Sequence, residues 1–388
     1  MAAQSWSGEY EYKELICKKY QSLFVSFVPT LFKIFICVIR VLTFENMKAI
    51  RIHEHGGIDK VVIDEIPAPV PKSNEVVVKI KATSVNHLDI WVRNGFRNIT
   101  LPLPLIFGSD GAGTIASVGD EVSDVKIGDR VLISPSTSCG RCEQCLNGND
   151  NLCAEYKILG EHCDGVDAEL VVVNRENIFK LPDDVSFEDA AASALVFITA
   201  YQMLVDKAKI QPLDDILIWG ASSGVGSAAI QIAKLYNARV IAVAGSEEKL
   251  QKARSLGADD IINYNSENIF QGVRRLTDKH GVDVVFEHTG KATWNDSILS
   301  AKRGGRIVTC GATTGPDAST DLRHVFAKQL TIYGSTMASK SRLFILIRLL
   351  SDKKFKAVIG RTMAYTEVRK AQEIIENHQH FGKIVLTF

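Results

Sequence analysis

Four cysteines carry the most specific chemistry in this sequence. Cys139, Cys142 and Cys145 are spaced C-x-x-C-x-x-C, and Cys153 follows after seven intervening residues in a stretch rich in Gly, Asn and Asp. Four thiolates at such spacing can close a tetrahedron around zinc. A closed tetrahedron keeps no position for substrate, so the expected role is structural. Disulfide pairing is the plainer alternative, but cysteines separated by two residues bridge poorly, and an iron–sulfur cluster also takes thiolate ligands. Cys163 and Cys310 read as buried apolar residues rather than ligands. Cys17 and Cys37 fall in an N-terminal segment considered below.

The second group is a glycine loop. Ile216 to Trp219 predicts a strand that runs into Gly220-Ala221-Ser222-Ser223-Gly224-Val225-Gly226 and then a helix. A glycine turn at a helix start lets backbone amides approach a pyrophosphate, and the helix dipole favours its charge. The spacing is not the strict G-x-G-x-x-G, and a tight turn uses glycine too. The strand before, the helix after and a second strand ending at Ala244 favour a nucleotide site. At the tip of that second strand an acid would bind a ribose 2′-hydroxyl. Here the chain reads Ala244-Gly245-Ser246-Glu247-Glu248-Lys249, so Ser246 and Lys249 are available to a 2′-phosphate and NADP(H) is expected over NAD(H), with Glu247 and Glu248 complicating the choice. Gly290 and Gly311, after later strands, complete the expected cofactor-binding set.

These groups need a frame. The chain has 388 residues, long enough for two to three domains. Its 45 basic and 45 acidic residues cancel, which argues against nucleic acid as the partner and for a cofactor and a small-molecule substrate. From Lys48 short β-branched runs punctuated by glycine predict an antiparallel β domain. Near Ser186 helices begin to alternate with strands, which predicts βαβ units and a doubly wound parallel sheet. The tail returns to mixed structure and ends in a strand, FGKIVLTF.

Leu23 to Phe44 is long enough to span a bilayer but carries Pro29, Lys33 and Arg40, and each central cation costs about 2.5 to 3.5 kcal/mol of insertion. Ser26, Lys33 and Arg40, seven apart, share one polar stripe of a helix. The segment reads as an interfacial helix, with membrane-surface contact confined to residues 23–44, or as part of an upstream extension, 1–46, absent from the working protein. Met47 looks like the start of a folded domain.

A β domain with a four-cysteine lobe followed by a nucleotide domain resembles the zinc-type alcohol dehydrogenase family of medium-chain dehydrogenases/reductases. Supporting motifs are Gly108-Ser109-Asp110-Gly111-Ala112-Gly113, Gly119-Asp120-Glu121-Val122, Gly128-Asp129-Arg130-Val131 and Gly382-Lys383-Ile384-Val385-Leu386. The resemblance implies a GroES-like catalytic domain, 47–185 and 332–388, with the zinc lobe at 139–153, around a Rossmann domain at 186–331. It also implies a homodimer or homotetramer; a cytoplasmic location is expected, or a membrane-associated one if the N-terminal extension is real.

The departures from the family pattern decide the chemistry. The resemblance places a catalytic zinc on three side chains whose positions here hold Asn86, the Gly108-Ser109-Asp110 segment and Ala194-Leu195-Val196. None matches the expected ligand. The proton-relay positions hold Leu88 and Trp91. The chain is therefore similar to the quinone oxidoreductase and enoyl-thioester reductase branch, with the structural metal kept. Hydride from NADPH can reduce an activated C=C or a quinone without a metal, provided donors meet the developing oxyanion.

By family position Asn86 and Thr199 are the candidate catalytic donors, His87 a phosphate contact and Tyr264 an adenosine contact. Each also has an ordinary reading, as turn, surface, core or packing residue. A remodelled zinc site on Asp110, His87 and His162 would restore an alcohol dehydrogenase, and a dinucleotide-binding protein without activity is the third reading. His53 and His55 are expected at the surface, and His288 in or beside the cofactor cleft.

Overall fold

The computed structural model describes residues 46–96 and 99–388. The expectations for 1–45 lie outside the described residues. Among the described residues no helix is long and apolar enough to cross a membrane.

Strands β1 (Asn46–Ile52), β2 (Val62–Pro67), β3 (Glu75–Val85), β4 (Leu105–Ile106), β5 (Asp110–Val118), β6 (Arg130–Ile133), β7 (Ser136–Thr137), β8 (Lys157–Ile158), β9 (Leu170–Asn174) and β10 (Ile178–Lys180) build the first part of the chain. The nucleotide part holds β11 (Asp215–Ile218), β12 (Arg239–Ala244), β13 (Asp260–Asn263), β14 (Val282–Glu287), β15 (Ala301–Thr309) and β16 (Thr331–Gly334), and the chain closes with β17 (Ile359–Ala364) and β18 (Lys383–Thr387).

The large first sheet runs β10-β6-β5-β3-β18-β17, with β9 also on β3, so the C-terminal strands complete the N-terminal sheet. Its pairs are antiparallel except β17 with β18. Those two are joined through the helix Val368–Glu376, and a helical crossover delivers its second strand parallel to the first.

The second sheet is parallel throughout, in the order β13-β12-β11-β14-β15-β16. Residues Ile216–Ile218 and Val240–Ala244 are buried without alternation, as strands covered on both faces must be. Strand order reverses at β11, between β12 and β14, which opens a crevice at the carboxyl ends of the strands. One boundary shifts: β16 pairs with β15 from Thr331 to Gly334, so a division after 331 would cut a strand. Nothing in Leu330-Thr331-Ile332-Tyr333 breaks an extended run, so the sheet continues to Gly334.

The two sheets share one helix, Phe187–Tyr201. Ser186 caps it, accepting from Asp189 N at 3.0 Å. The small side chains of Ala190, Ala191, Ala192 and Ala194 let β5 and the helix Gly224–Leu235 approach it closely. A single apolar core joins Ala82, Ala112 and Leu132 of the first sheet to Ile216 and Ile218 of the second. The helix is therefore a fixed joint between the sheets.

Helix His87–Asn94 is fastened to helix Val368–Glu376 by Arg93, which is 2% exposed. Its Nη1 donates to Gln372 Oε1 at 2.9 Å and its Nη2 to both Glu376 oxygens at 2.9 and 3.0 Å. Replacing Arg93→Met strands the buried Gln372 amide oxygen. Urea unfolding should report a loss of about 1–3 kcal/mol; an unchanged midpoint would show that this contact carries no stability.

Candidate active site

A buried polar knot forms where β3, β5, β18 and the joint helix meet. Asp110, fully buried, begins β5 and accepts from four donors. Leu195 N reaches Oδ1 at 2.8 Å. Oδ2 receives Ser84 Oγ at 3.1 Å, Asn86 Nδ2 at 2.8 Å and Lys383 Nζ at 3.2 Å. Lys383, first residue of β18, also donates to Asn86 Oδ1. The ammonium and carboxylate are 5% and 0% exposed. Asp89 Oδ2 accepts from Asn86 N at 2.7 Å and holds the turn into the helix.

This knot corrects two expectations. Asn86 is no free donor for an oxyanion, because its amide gives to Asp110 and takes from Lys383. Asp110, His87 and His162 do not converge: among the described residues the only group of three or more close potential metal ligands is the four cysteines. The cation beside Asp110 is the Lys383 ammonium, delivered by a strand nearly three hundred residues from Asn86 in sequence. No local signal marks Lys383 as part of the site.

Above the knot lies a cleft of about 1060 Å³ between the two sheets. The glycine loop forms its floor. Gly220 has φ +54°, and a Cβ there would meet the His288 ring at 2.7 Å. A Cβ on Gly226 would lie 2.3 Å from the Gly220 carbonyl, so the first helical turn folds back on the loop as only glycine permits. Ser223 Oγ accepts from Gly226 N at 2.9 Å. Gly220, Ser223, Gly224 and Val225 line the cleft, whereas Gly226 supports them from behind. The cradle fits a pyrophosphate at a helix N-terminus.

Other expected residues divide. His87, Thr199, Lys249, Tyr264, His288 and Gly311 line the cleft, and Gly290 lines a neighbouring depression. Thr199 Oγ1 is buried without a partner. Burial lowers the His87 and His288 pKa values, so both favour the neutral imidazole. His87 is then a polar rather than a cationic contact. His288 Nε2 meets the Trp219 carbonyl at 2.9 Å. Tyr264 OH lies over Gly245, where a Cβ would approach it to 2.3 Å.

Ser246 does not line the cleft; its Oγ caps the helix Glu247–Ser255 by accepting from Lys249 N at 3.3 Å. Lys249 Nζ donates to the His378 carbonyl at 2.7 Å. His378 and His380, also in the cleft, were not among the expected residues, because the C-terminal loop reaches the cofactor side only after β18 joins β3. His53, 56% exposed, pairs with Asp64, and half-buried His55 bonds the Val92 carbonyl; neither reaches the cleft. Cys163 and Cys310 are part-buried, and Cys310 lines the cleft with its thiol pushed up to about 12 by burial.

The cysteine lobe is the second centre. All four sulfurs lie within 4.8 Å of one another, with Cys142–Cys145 at 3.5 Å and Cys139–Cys145 at 3.9 Å. Zinc–sulfur bonds of about 2.3 Å give tetrahedral edges of about 3.8 Å, so the donor set fits one ion. All four are free thiols, which removes the disulfide alternative. Backbone N–H groups of Arg141 and Cys142 hold the Cys139 thiol down to about 7, whereas at Cys142 the Cys145 N–H is outweighed by burial and the neighbouring cysteines, which push that thiol up to about 11. Before a metal binds, Cys139 is therefore the readier thiolate of the two.

Two measurements follow. Metal analysis should find one zinc per chain, lost in Cys142→Ser; a second tightly held zinc would contradict the ligand assignment. Burial pushes Asp89 up from 3.8 to about 8 and Asp167, whose carboxyl packs beside Gly108 next to the knot, from 3.8 to about 6, each opposed by Lys383. A carboxyl whose pKa is raised on folding stabilises below its unfolded pKa, and this contribution is lost as pH rises through the folded value. The urea midpoint should therefore fall between about pH 4 and pH 8, and Asp89→Asn should flatten that slope. An identical slope in the variant would assign it elsewhere.

Residues 72–183 match the family model of the alcohol dehydrogenase GroES-like domain, and residues 224–352 that of the zinc-binding dehydrogenases. The chain is similar to a crotonyl-CoA carboxylase/reductase of Cereibacter sphaeroides, 31% identical over 86% of this chain and 84% of the relative. It is also similar to a quinone oxidoreductase of Homo sapiens, 29% identical over 88% and 97% respectively. The solved structure of an NAD-dependent alcohol dehydrogenase shares the fold with a TM-score of 0.85 and 46% identity, covering 88% of this chain and 100% of that one. With both family models matched in order across these two sheets, the chain belongs to the zinc-type alcohol dehydrogenase family of medium-chain dehydrogenases/reductases, a family of oxidoreductases.

Proposed function

We propose that the protein transfers hydride from NADPH to an activated C=C, in an enoyl thioester or an α,β-unsaturated carbonyl, or to a quinone, without a catalytic zinc. The observation that carries this reading is the commitment of Asp110 and Asn86 to Lys383. The catalytic-metal positions implied by family resemblance hold an amide, the hydroxyl of Ser109 and an alanine–leucine–valine segment, and the nearby carboxylate is saturated by four donors. Alcohol oxidation needs a means of stabilising an alkoxide. Reduction of a conjugated alkene does not, because the charge is delocalised onto an enolate oxygen that a hydrogen-bond donor such as the unpartnered Thr199 hydroxyl can meet.

When bound, the dinucleotide would supply the hydride, and Gly220, Ser223, Gly224 and Val225 would hold its phosphates. Leu88, Trp91, Phe96, Ile158 and Leu195 line an apolar part of the cleft, suited to excluding water from the acceptor. Preference for NADPH is supported by the tip of β12. Glu248 pairs with Lys252 at 2.7 Å and Glu247 with Gln251, both along their own helix, and neither lines the cleft. Lys249 does line it, and a 2′-phosphate would compete with the His378 carbonyl for its ammonium.

The similarity to an NAD-dependent alcohol dehydrogenase favours a second reading, NAD-linked alcohol oxidation. Cofactor titration with parallel assays separates the two. NADPH should bind at least tenfold more tightly than NADH, and it should be consumed with an enoyl thioester, an enone or a quinone. Faster turnover of alcohols with NAD⁺ would overturn the reductase reading, and binding without any consumption would leave a dinucleotide-binding protein.

Self-association through the edge of the parallel sheet is the proposed assembly. β16 is its terminal strand, and Ile332, Leu322 and Phe326 beside it are 39%, 69% and 70% exposed. A monomer by sedimentation, or a dimer unaffected by Phe326→Glu, would refute it.

A further inference from the structure

Reduction of a conjugated alkene needs a hydride at the β-carbon and a proton at the α-carbon. Among the cleft residues discussed so far, Thr199 and Cys310 offer only weakly acidic O–H and S–H groups, and burial leaves His87 and His288 neutral. Asn86 and Lys383 are tied to Asp110, and the relay positions hold Leu88 and Trp91. Three carboxyl groups line the cleft: Glu161, Glu267 and Asp296. Glu267 is paired to Arg275 by bonds of 2.9 to 3.2 Å. Asp296 stands on the nucleotide-domain helix Trp294–Ser300, in the other domain from Leu88, Trp91 and Ile158. Glu161 alone belongs to the wall that carries Ile158.

Its placement is rigid. Glu161 sits at the tip of a tight turn after β8. Leu159 N donates to Pro135 O at 3.0 Å, Gly160 N to Cys163 O at 2.9 Å and Ser109 Oγ to Leu159 O at 2.7 Å. Gly160 has φ +77°, and a Cβ there would lie 2.7 Å from Gly108 N, so the turn is pressed against the segment leading into Asp110. The Glu161 side chain is 13% exposed.

Among the described residues no hydrogen bond to this carboxyl is present, and its one ionic neighbour is a histidine. The nearest charged neighbour is His162, whose Nδ1 lies 3.7 Å from Oε2. That nitrogen already accepts from Ile158 N at 3.2 Å, which assigns the ring proton to Nε2 and leaves Nδ1 no proton for Glu161. Burial raises the Glu161 pKa against the opposing pull of His162, and the net shift favours the protonated acid. A part-buried, unpartnered acid in a rigid turn costs stability without a structural return, and such groups concentrate where chemistry needs them.

We propose that Glu161 is the catalytic proton donor, its carboxyl O–H protonating the α-carbon of the enolate left by hydride transfer. The inference rests on the reductase reading above. The hydride pair forms the new Cβ–H bond as NADPH is oxidised to NADP⁺, and the alkene π pair moves into the enolate. The enolate pair then forms the Cα–H bond while the Glu161 O–H bond breaks, its electrons staying on the carboxylate. Solvent at the open side of the turn, where His162 is 40% exposed, returns the proton.

The test compares wild type, Glu161→Gln and Glu161→Asp with NADPH and either a crotonyl thioester or a quinone. With the thioester, E161Q should lose about 10²-fold or more in kcat with KM within about threefold of wild type. Wild type should lose kcat as pH rises and the acid deprotonates, E161Q should not, and E161D should recover part of both the rate and the profile. With the quinone, whose oxygens take protons from water, the loss should stay below about tenfold. Unchanged kcat and pH profile in E161Q overturn the assignment, as does a wild type that reduces quinones but no alkene. If E161Q fails to bind NADPH or melts early, E161D decides alone: a wild-type rate with an unshifted pH profile counts against the role. A wild type that consumes NADPH with neither acceptor overturns the reductase reading, and this assignment with it.

Discussion

The ion pair between Lys383 and Asp110 is the contact on which the architecture converges. Both groups are taken out of water, and buried charges are tolerated only when their remaining hydrogen-bonding capacity is met. Asp110 satisfies this with Ser84, Asn86 and the Leu195 amide, so one carboxylate ties β3, β5, β18 and the joint helix. The C-terminal strand is thereby fixed in both register and position: Ile384 faces Val85, and Lys383 must lie beside Asn86. Asp89 and Asp167 are buried close enough to feel the same ammonium, but loss of water outweighs its pull and raises both.

The cleft takes its shape from that knot. Gly382 N donates to Ser222 O at 2.8 Å, linking the final strand to the glycine loop, and the Lys383 stem lies beside Gly224, where a Cβ would approach Cδ to 2.7 Å. The phosphate cradle and the acceptor pocket are thus parts of one rigid assembly around helix Phe187–Tyr201. Cleft-lining Leu195, Val196 and Thr199 all ride on this helix, whose other faces are packed into the shared core. The four-cysteine lobe stands apart from the cleft, consistent with a metal that stabilises a loop too small to form its own apolar core.

Much of this was legible in the chain. The switch from alternating short strands to strand–helix units marked two sheets, and the continuous apolar runs of β11 and β12 marked the parallel one. The glycine loop could be placed because its chemistry is local: strand, turn and helix are adjacent in sequence. The C-terminal return was expected from family resemblance. Its parallel final pair was not, and the boundary after residue 331 fell inside β16, because no breaker residue separates that strand from what precedes it.

The sequence by itself determined the groups whose geometry is set by short spacing. The four cysteines and the loop from Gly220 to Gly226 hold their function within a few turns of chain, where residue type and distance along the backbone nearly fix distance in space. Only the tertiary structure decided what surrounds Asn86, because its partners come from β5, the joint helix and the last strand. There an amide expected to be a free donor is consumed on both sides, and a lysine with no local signature supplies the buried charge. Glu161 belongs to the same class: its residue type says nothing until packing against Gly108 and Ser109 shows a part-buried carboxyl in the cleft wall with only a histidine beside it.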